Sequence, residues 1–240
     1  MSLTRFLFNL VFPPRCLGCM TTLPHDITLC DACEKKIVFH QTLFCGSCGL
    51  RLPAAVSTKA GLATYKRTCH KDFPYVLGAA TDFGNDIVRN LIHALKFHCA
   101  RGVAETLGTF LVRYAEALSL PLKNFLVVPI PLSRARMRER GFNQSELIAK
   151  VFADHFNLPL ERGMLTRIKN MKPQSETKGL LERKENIAGV FVVRDPDLVA
   201  KKNIILIDDV TTSGSTLLEA ASTLKNAGAK KIIALAVARA

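Results

Sequence analysis

Residues 203–216, NIILIDDVTTSGST, pass from an unbroken apolar run into two adjacent acids and then into a loop of threonine, serine and one glycine. Ile204, Ile205, Leu206 and Ile207 leave no polar face, the pattern of a central parallel strand covered by helices on both sides. That places Asp208 and Asp209 at the carboxyl end of the strand, where ligand crevices open in α/β sheets, with side chains directed to opposite sides. Thr216 and Glu219 read as a capping box opening a helix over residues 217–226, and Gly228 closes it.

The loop has the chemistry of a phosphate cradle. Helix-start N–H groups lack intrahelical partners and sit at the positive end of the helix dipole, and Thr211, Thr212, Ser213, Ser215 and Thr216 add hydroxyls. Gly214 lets the backbone approach closely. Two carboxylates beside such a cradle repel a bare polyanion. They suit a sugar phosphate, whose hydroxyls donate hydrogen bonds, with Mg²⁺ offsetting charge. Purely structural capping is the plainer alternative. The chain has no GxxxxGK[ST] and no GxGxxG, which argues against P-loop and dinucleotide sites.

Working outward, KIIALAVA (231–238) completes a strand, helix, strand unit of the kind that builds a parallel sheet. YVLGAATDF (75–83) and FLVVPIP (125–131) read as further strands, and IAGVFVV (187–193) returns to strand character after a Lys- and Arg-rich mobile surface loop over 162–186, with a short hairpin there as the alternative. Helices are predicted over 86–97, with Ile87, Leu91, Ala94 and Leu95 on one face, and over 104–117. Another spans 143–156, with Leu147, Ile148, Val151, Phe152 and His155 in a stripe and Asn143 and Glu146 imitating a capping box. His93 and Lys96 lie about one turn apart, so either can face a ligand; His93 reads more simply as structural.

Residues 1–75 are loop-rich and hold seven of the eight cysteines, so a boundary is expected near Phe73 and Pro74. Cys16, Cys19, Cys30 and Cys33 form CxxC, ten residues, CxxC, a spacing that lets two turn-borne thiolate pairs close a tetrahedron around zinc. Cys45 and Cys48 form a third pair. An interleaved arrangement, with Cys45 and Cys48 completing the first site, stays open. Cys99 reads as a small buried residue. Such pairing suggests metal thiolates and a reducing, cytoplasmic setting. MSLTRFLFNLVF (1–12) reads as a short packed helix, and no apolar run reaches the roughly 20 residues needed to span a bilayer.

A formal charge of +13 implies an acidic partner, for which a phosphate-bearing metabolite, nucleic acid or an anionic membrane surface qualifies, with a merely solvated basic surface as the plainer alternative. Arg134, Arg136, Arg138 and Arg140 cluster after the VPIPL strand end, and guanidiniums suit bidentate phosphate contacts, with a solvated basic face as the plainer reading. No Trp and three Tyr leave few stacking platforms for bases.

IILIDDVTTSGST resembles the phosphoribosyl pyrophosphate signature of the type I phosphoribosyltransferases. RGFNQ (140–144), LIHALKF (91–97), QSETKGLLERKEN (174–186) and the N-terminal CxxC array sharpen the resemblance to the ComF family, over nearly the whole chain. It implies an α/β fold: a type I phosphoribosyltransferase-like parallel sheet flanked by helices over 76–240, with a small double zinc-ribbon-like module over 1–75. By the same resemblance Asp208 and Asp209 hold the ribose 2′- and 3′-hydroxyls, and residues 212–216 wrap the 5′-phosphate. Pro131, Leu132, Ser133 and Arg134, with Arg140, contact pyrophosphate. Members carry a further CxxC where this chain has Lys66 three residues before Cys69, so a second zinc site would draw on Cys45, Cys48 and Cys69, with His70 as a substitute ligand. The family implies a role in DNA uptake during natural competence, with competence helicase or recombination proteins as partners. The alternative is a zinc-dependent single-stranded DNA-binding protein whose phosphoribosyl site is regulatory or vestigial.

Overall fold

The computed structural model describes residues 13–24, 27–52, 69–97, 100–168 and 189–240. The helix expected over 1–12, Lys66, Cys99 and the basic stretch 174–186 lie outside them. In chain order the elements are α1 (Asp31–Glu34), β1 (Leu43–Cys45), β2 (Arg51–Leu52), β3 (Val76–Asp82), α2 (Asp86–Phe97), α3 (Val103–Ala117) and β4 (Phe125–Pro129). There follow α4 (Arg134–Arg140), α5 (Gln144–Phe156), β5 (Leu165–Arg167), β6 (Phe191–Val193), β7 (Asn203–Thr211), α6 (Ser215–Asn226) and β8 (Lys231–Arg239).

Six strands form one sheet in the order β2-β1-β3-β8-β7-β4. β3, β8, β7 and β4 are parallel, with Ile205 opposite Ile233 and Val128 opposite Leu206. The apolar run of β7 divides its side chains between two cores. Ile205 and Ile207 join Leu91 and Leu95 of α2, Leu107 and Leu111 of α3, and Ile148 and Phe152 of α5. Ile204 and Leu206 join Leu217, Ala220 and Leu224 of α6, with Leu165 and Phe191 from the separate β5-β6 pair. A strand apolar at every position is thus accounted for by cover on both faces.

Two strands come from the cysteine-rich region. β1 pairs antiparallel with β3, placing Cys45 opposite Val76, and β2 pairs with β1. Hydrogen bonding therefore runs without a break from the cysteine-bearing segment into the parallel sheet.

Helix ends differ from the sequence expectation in three places. The Thr216–Glu219 capping box does not form, because α6 begins at Ser215 with Gly214 as its N-cap, which puts Glu219 beyond the third helical position that a capping box uses. Glu219 instead accepts from the Gly189 and Val190 N–H groups, at 2.7 and 3.3 Å. At α5 Asn143 does cap, accepting from Ser145 N–H, but Glu146 turns away to pair with Arg162. The arginine run is itself helical: Ser133 caps α4 by accepting from Arg136 N–H, and Gly141 ends it in the left-handed region at φ 72°. His155, expected on the apolar stripe of α5, is exposed and lies 2.8 Å from Glu116.

Helices α3 and α5 meet closely at Gly108, where an added Cβ would lie 2.5 Å from the Val151 Cβ. Gly108→Ala is expected to destabilise the fold by about 1–3 kcal/mol through overpacking, read from the midpoint of chemical unfolding.

Candidate functional site

β7 continues past the acid pair to Thr211, because β8 supplies partners as far as Arg239. Asp208 and Asp209 therefore sit within the strand's last turn of pairing, held by backbone as well as side-chain bonds. Asp208 Oδ1 accepts from Ser145 Oγ at 2.9 Å and from Asp209 N–H at 2.9 Å, and Asp209 Oδ1 accepts from Val210 N–H at 2.7 Å. Asp209 is buried, and its Oδ2 lies 2.9 Å from Lys96 Nζ of α2.

Burial, and then the neighbouring Asp209 charge, push the Asp208 carboxyl up to about 7, against the opposing pull of Lys96 and the Ser145 hydroxyl. Two arginines answer the same charges. Arg140 of α4 and Arg167 of β5 are each held below the usual guanidinium range by burial and then by Arg136, while Asp209 pulls the first back up and Asp208 the second. Lys96 thus touches the acid pair, and the charges of Arg140 and Arg167, from two further elements, are felt there.

Beside the pair is a hollow of about 50 Å³ lined by Asp208 and by Thr211, Thr212, Ser213, Gly214, Ser215 and Thr216. Gly214 takes φ 72°, a conformation that favours glycine, and gives α6 no side-chain cap. The first N–H groups of a 12-residue helix are thereby left for another acceptor. Ser213 and Ser215 hydroxyls lie 2.6 Å apart, and the Thr211 hydroxyl is buried with no hydrogen-bond partner. An orphaned buried donor at the foot of an anion cradle is unmet capacity for a ligand.

Of the residues singled out for pyrophosphate, Ser133 is buried and engaged as the α4 cap, and Arg134 is exposed on that helix. Arg140 packs over the Phe97 ring at 5.4 Å. Lys96, Ser145 and Arg167 complete the surroundings of the acids. Lys96 stood in the LIHALKF stretch and Arg167 in the basic segment, but nothing in Ser145 beyond its place after the α5 cap marked it. His93 is exposed, with its ring tilted 6.3 Å from Phe83 and edge-on 5.5 Å from Phe97.

The cysteines gather into two groups. Cys16, Cys19, Cys30 and Cys33 place their sulfurs within 4.8 Å of one another, and Cys45, Cys48, Cys69 and His70 do the same with their ligand atoms. The interleaved arrangement is therefore not the one adopted. A tetrahedron with Zn–S bonds of about 2.3 Å has sulfurs about 3.8 Å apart. Cys16–Cys30, Cys19–Cys30 and Cys48–Cys69 stand at 3.6, 3.7 and 3.6 Å, so both sets fit zinc. Gly18 is required by the first knuckle, since a Cβ there would lie 2.7 Å from Cys33 Sγ. Without a cation four such thiols cannot all ionise: burial first, then neighbouring thiols, push Cys33 up to about 12.

A parallel sheet with an acidic strand tip facing an uncapped helix start, joined to two four-ligand knuckles, defines a phosphoribosyltransferase-type domain carrying a double zinc ribbon. Residues 143–240 match the phosphoribosyl transferase domain family and residues 7–71 the double zinc ribbon domain family. The chain belongs to the ComF family of competence proteins. It is 30% identical over 229 residues to competence protein ComFC of Bacillus subtilis, covering 89% of each chain. It is 29% identical to competence protein F of Haemophilus influenzae, covering 94% of this chain and 97% of that one. Against the DNA utilization protein YhgH of Escherichia coli K12 it is 28% identical, covering 90% and 86%. Among the described residues no helix is long and apolar enough to cross a membrane.

Two outcomes are expected. Metal analysis should find two zinc ions per chain, with Cys16→Ser plus Cys19→Ser removing one. Because the folded chain raises the Asp208 pKa, the proton's contribution to stability is complete below the ordinary carboxyl range and fades as pH rises through about 7. Thermal unfolding of the ligand-free protein should show that decline, and Asp208→Asn should flatten it.

Proposed function

We propose that the sheet tip binds phosphoribosyl pyrophosphate, with Asp208 and Asp209 receiving the ribose 2′- and 3′-hydroxyls and residues 212–216 the 5′-phosphate. The observation that carries this reading is the juxtaposition of the acid pair with the uncapped start of α6. A carboxylate pair alone would select cations, and a helix start alone would take any anion. Together they match a ligand that has hydroxyl donors at one end and phosphate at the other. The buried, unpartnered Thr211 hydroxyl supports the same assignment.

Lys96, Arg140 and Arg167 supply positive charge around the acids, and Ser133 and Arg134 stand on the adjacent α4 for the pyrophosphate. Mg²⁺ accompanies the ligand, with Asp208 and Asp209 as hard oxygen donors that suit it, and it neutralises pyrophosphate charge when bound. Before the ligand arrives, Lys96 holds Asp209 and Ser145 holds Asp208; hydroxyls of the sugar replace or join these contacts. If the ribosyl group is transferred, the C1–O bond to pyrophosphate breaks and a nitrogen base takes C1. These residues then act by positioning and by stabilising the leaving group rather than as a nucleophile.

The second reading is direct handling of single-stranded DNA by the basic surface, with the sugar site regulatory. It is favoured by the +13 charge and by relatives named for competence and DNA utilization. A role in DNA uptake accommodates both readings.

Calorimetric titration separates them. Asp208→Asn with Asp209→Asn is expected to abolish phosphoribosyl pyrophosphate binding in the presence of Mg²⁺ while leaving salt-dependent affinity for single-stranded DNA intact. Undiminished sugar-phosphate binding by that variant would overturn the assignment of the site.

A further inference from the structure

The two cysteine groups stand in different relations to the phosphate loop. The first lies against α2 and α3: Asn90 donates to Leu17 O, the Thr28 and Thr106 hydroxyls are 2.6 Å apart, and Arg113 pairs with Glu34. The second lies against the loop itself. A cavity of about 170 Å³ has the knuckle Cys45–Gly49 on one side and Thr211, Thr212, Ser213 and Gly214 on the other.

The connection passes through two residues. Gly46 follows the ligand Cys45 and packs on the Tyr75 ring so tightly that an added Cβ would lie 2.6 Å from Tyr75 Cε2 and 2.5 Å from Phe73 Cε1. Tyr75, five residues beyond the ligand His70, is buried, and its hydroxyl donates to Gly214 O at 3.4 Å. At Gly214 a Cβ would lie 3.1 Å from Tyr75 Oη and 3.8 Å from Gly46 O, so both halves of the cluster reach under the same loop residue. On the far side Arg239 Nη1 donates to Gly49 O at 3.2 Å. Cys45 and Cys48 carry Gly46, Cys69 and His70 lead into Tyr75, and their ligand atoms converge within 4.8 Å.

We infer that the second cysteine cluster, through Gly46 and Tyr75 as positioning residues, forms the floor of the phosphate loop and sets its affinity for the sugar phosphate, whereas the first cluster does not. The ligand is the one assigned under Proposed function, and the inference rests on that reading for its affinity arm only. Joining the 45–48 knuckle to the 69–70 segment holds Gly46 and Tyr75 together beneath Gly214. Separating them lets the loop move before a phosphate can organise it, and ordering it then costs binding free energy.

The test compares three variants of the full chain by zinc content, by calorimetry with phosphoribosyl pyrophosphate and Mg²⁺, and by amide exchange at residues 211–216. Cys48→Ser with Cys69→Ser should lose one zinc, weaken binding about ten-fold and speed exchange in the loop. Cys16→Ser with Cys19→Ser should lose the other zinc and leave loop exchange and affinity unchanged. Gly46→Ala, which spares all ligands, should keep both zincs and still loosen the loop. That keeps the inference decidable should a cysteine variant fail to fold. Equal loosening from either cluster, or an undisturbed loop in Gly46→Ala, overturns it. A wild-type protein that fails to bind the sugar phosphate overturns the function assigned above, and loop exchange then decides the coupling alone.

Discussion

Two carboxylates on consecutive residues at the tip of a central strand repel each other, and much of the surrounding structure answers that repulsion. Lys96 must arrive from α2, Ser145 from the start of α5, Arg140 from α4 and Arg167 from β5. Lys96, the 140–145 segment and Arg167 are separated from one another and from the acids by tens of residues, so the acid pair is stable as built only when the fold is complete around it. What opposes the repulsion also prepares the site, since cationic groups placed near the acids attract phosphate and leave the carboxylates for hydroxyl donors.

The core of this arrangement was legible from residue pattern. Ile204–Ile207 announced a strand covered on both faces, and both cores take alternate members of that run. The bounds of α2 coincide with its periodic stretch, and the cysteines divide as CxxC spacing and the His70 substitution suggested. Helix starts were less readable. Glu219 and Glu146 fit a capping pattern in one dimension but found better partners in space, at Gly189 and Arg162. The arginine run reads as charge in the sequence, and Ser133 and Gly141 are not legible there as helix ends because seven residues offer little periodicity. Lys96 and Ser145 could not be assigned to the acids from sequence at all, since their role depends on long-range placement rather than local chemistry.

The cysteine module enters the fold through backbone pairing as well as side chains. Antiparallel β1 alongside β3 carries one knuckle to the cavity it shares with the phosphate loop, while the other knuckle stays against α2 and α3. Two clusters of similar ligand geometry thus have unlike surroundings, and their chemistry need not serve a common end.

The same pairing bears on solubility. β3 would otherwise present a row of unmatched amide and carbonyl groups along seven residues, an invitation to another chain's strand. β1 covers part of that margin, and among the described residues β2 lies outside it. Cutting away the cysteine-bearing segment would therefore expose that margin of β3 to another chain's strand, so the ribbon covers a sheet edge as well as gathering metal ligands.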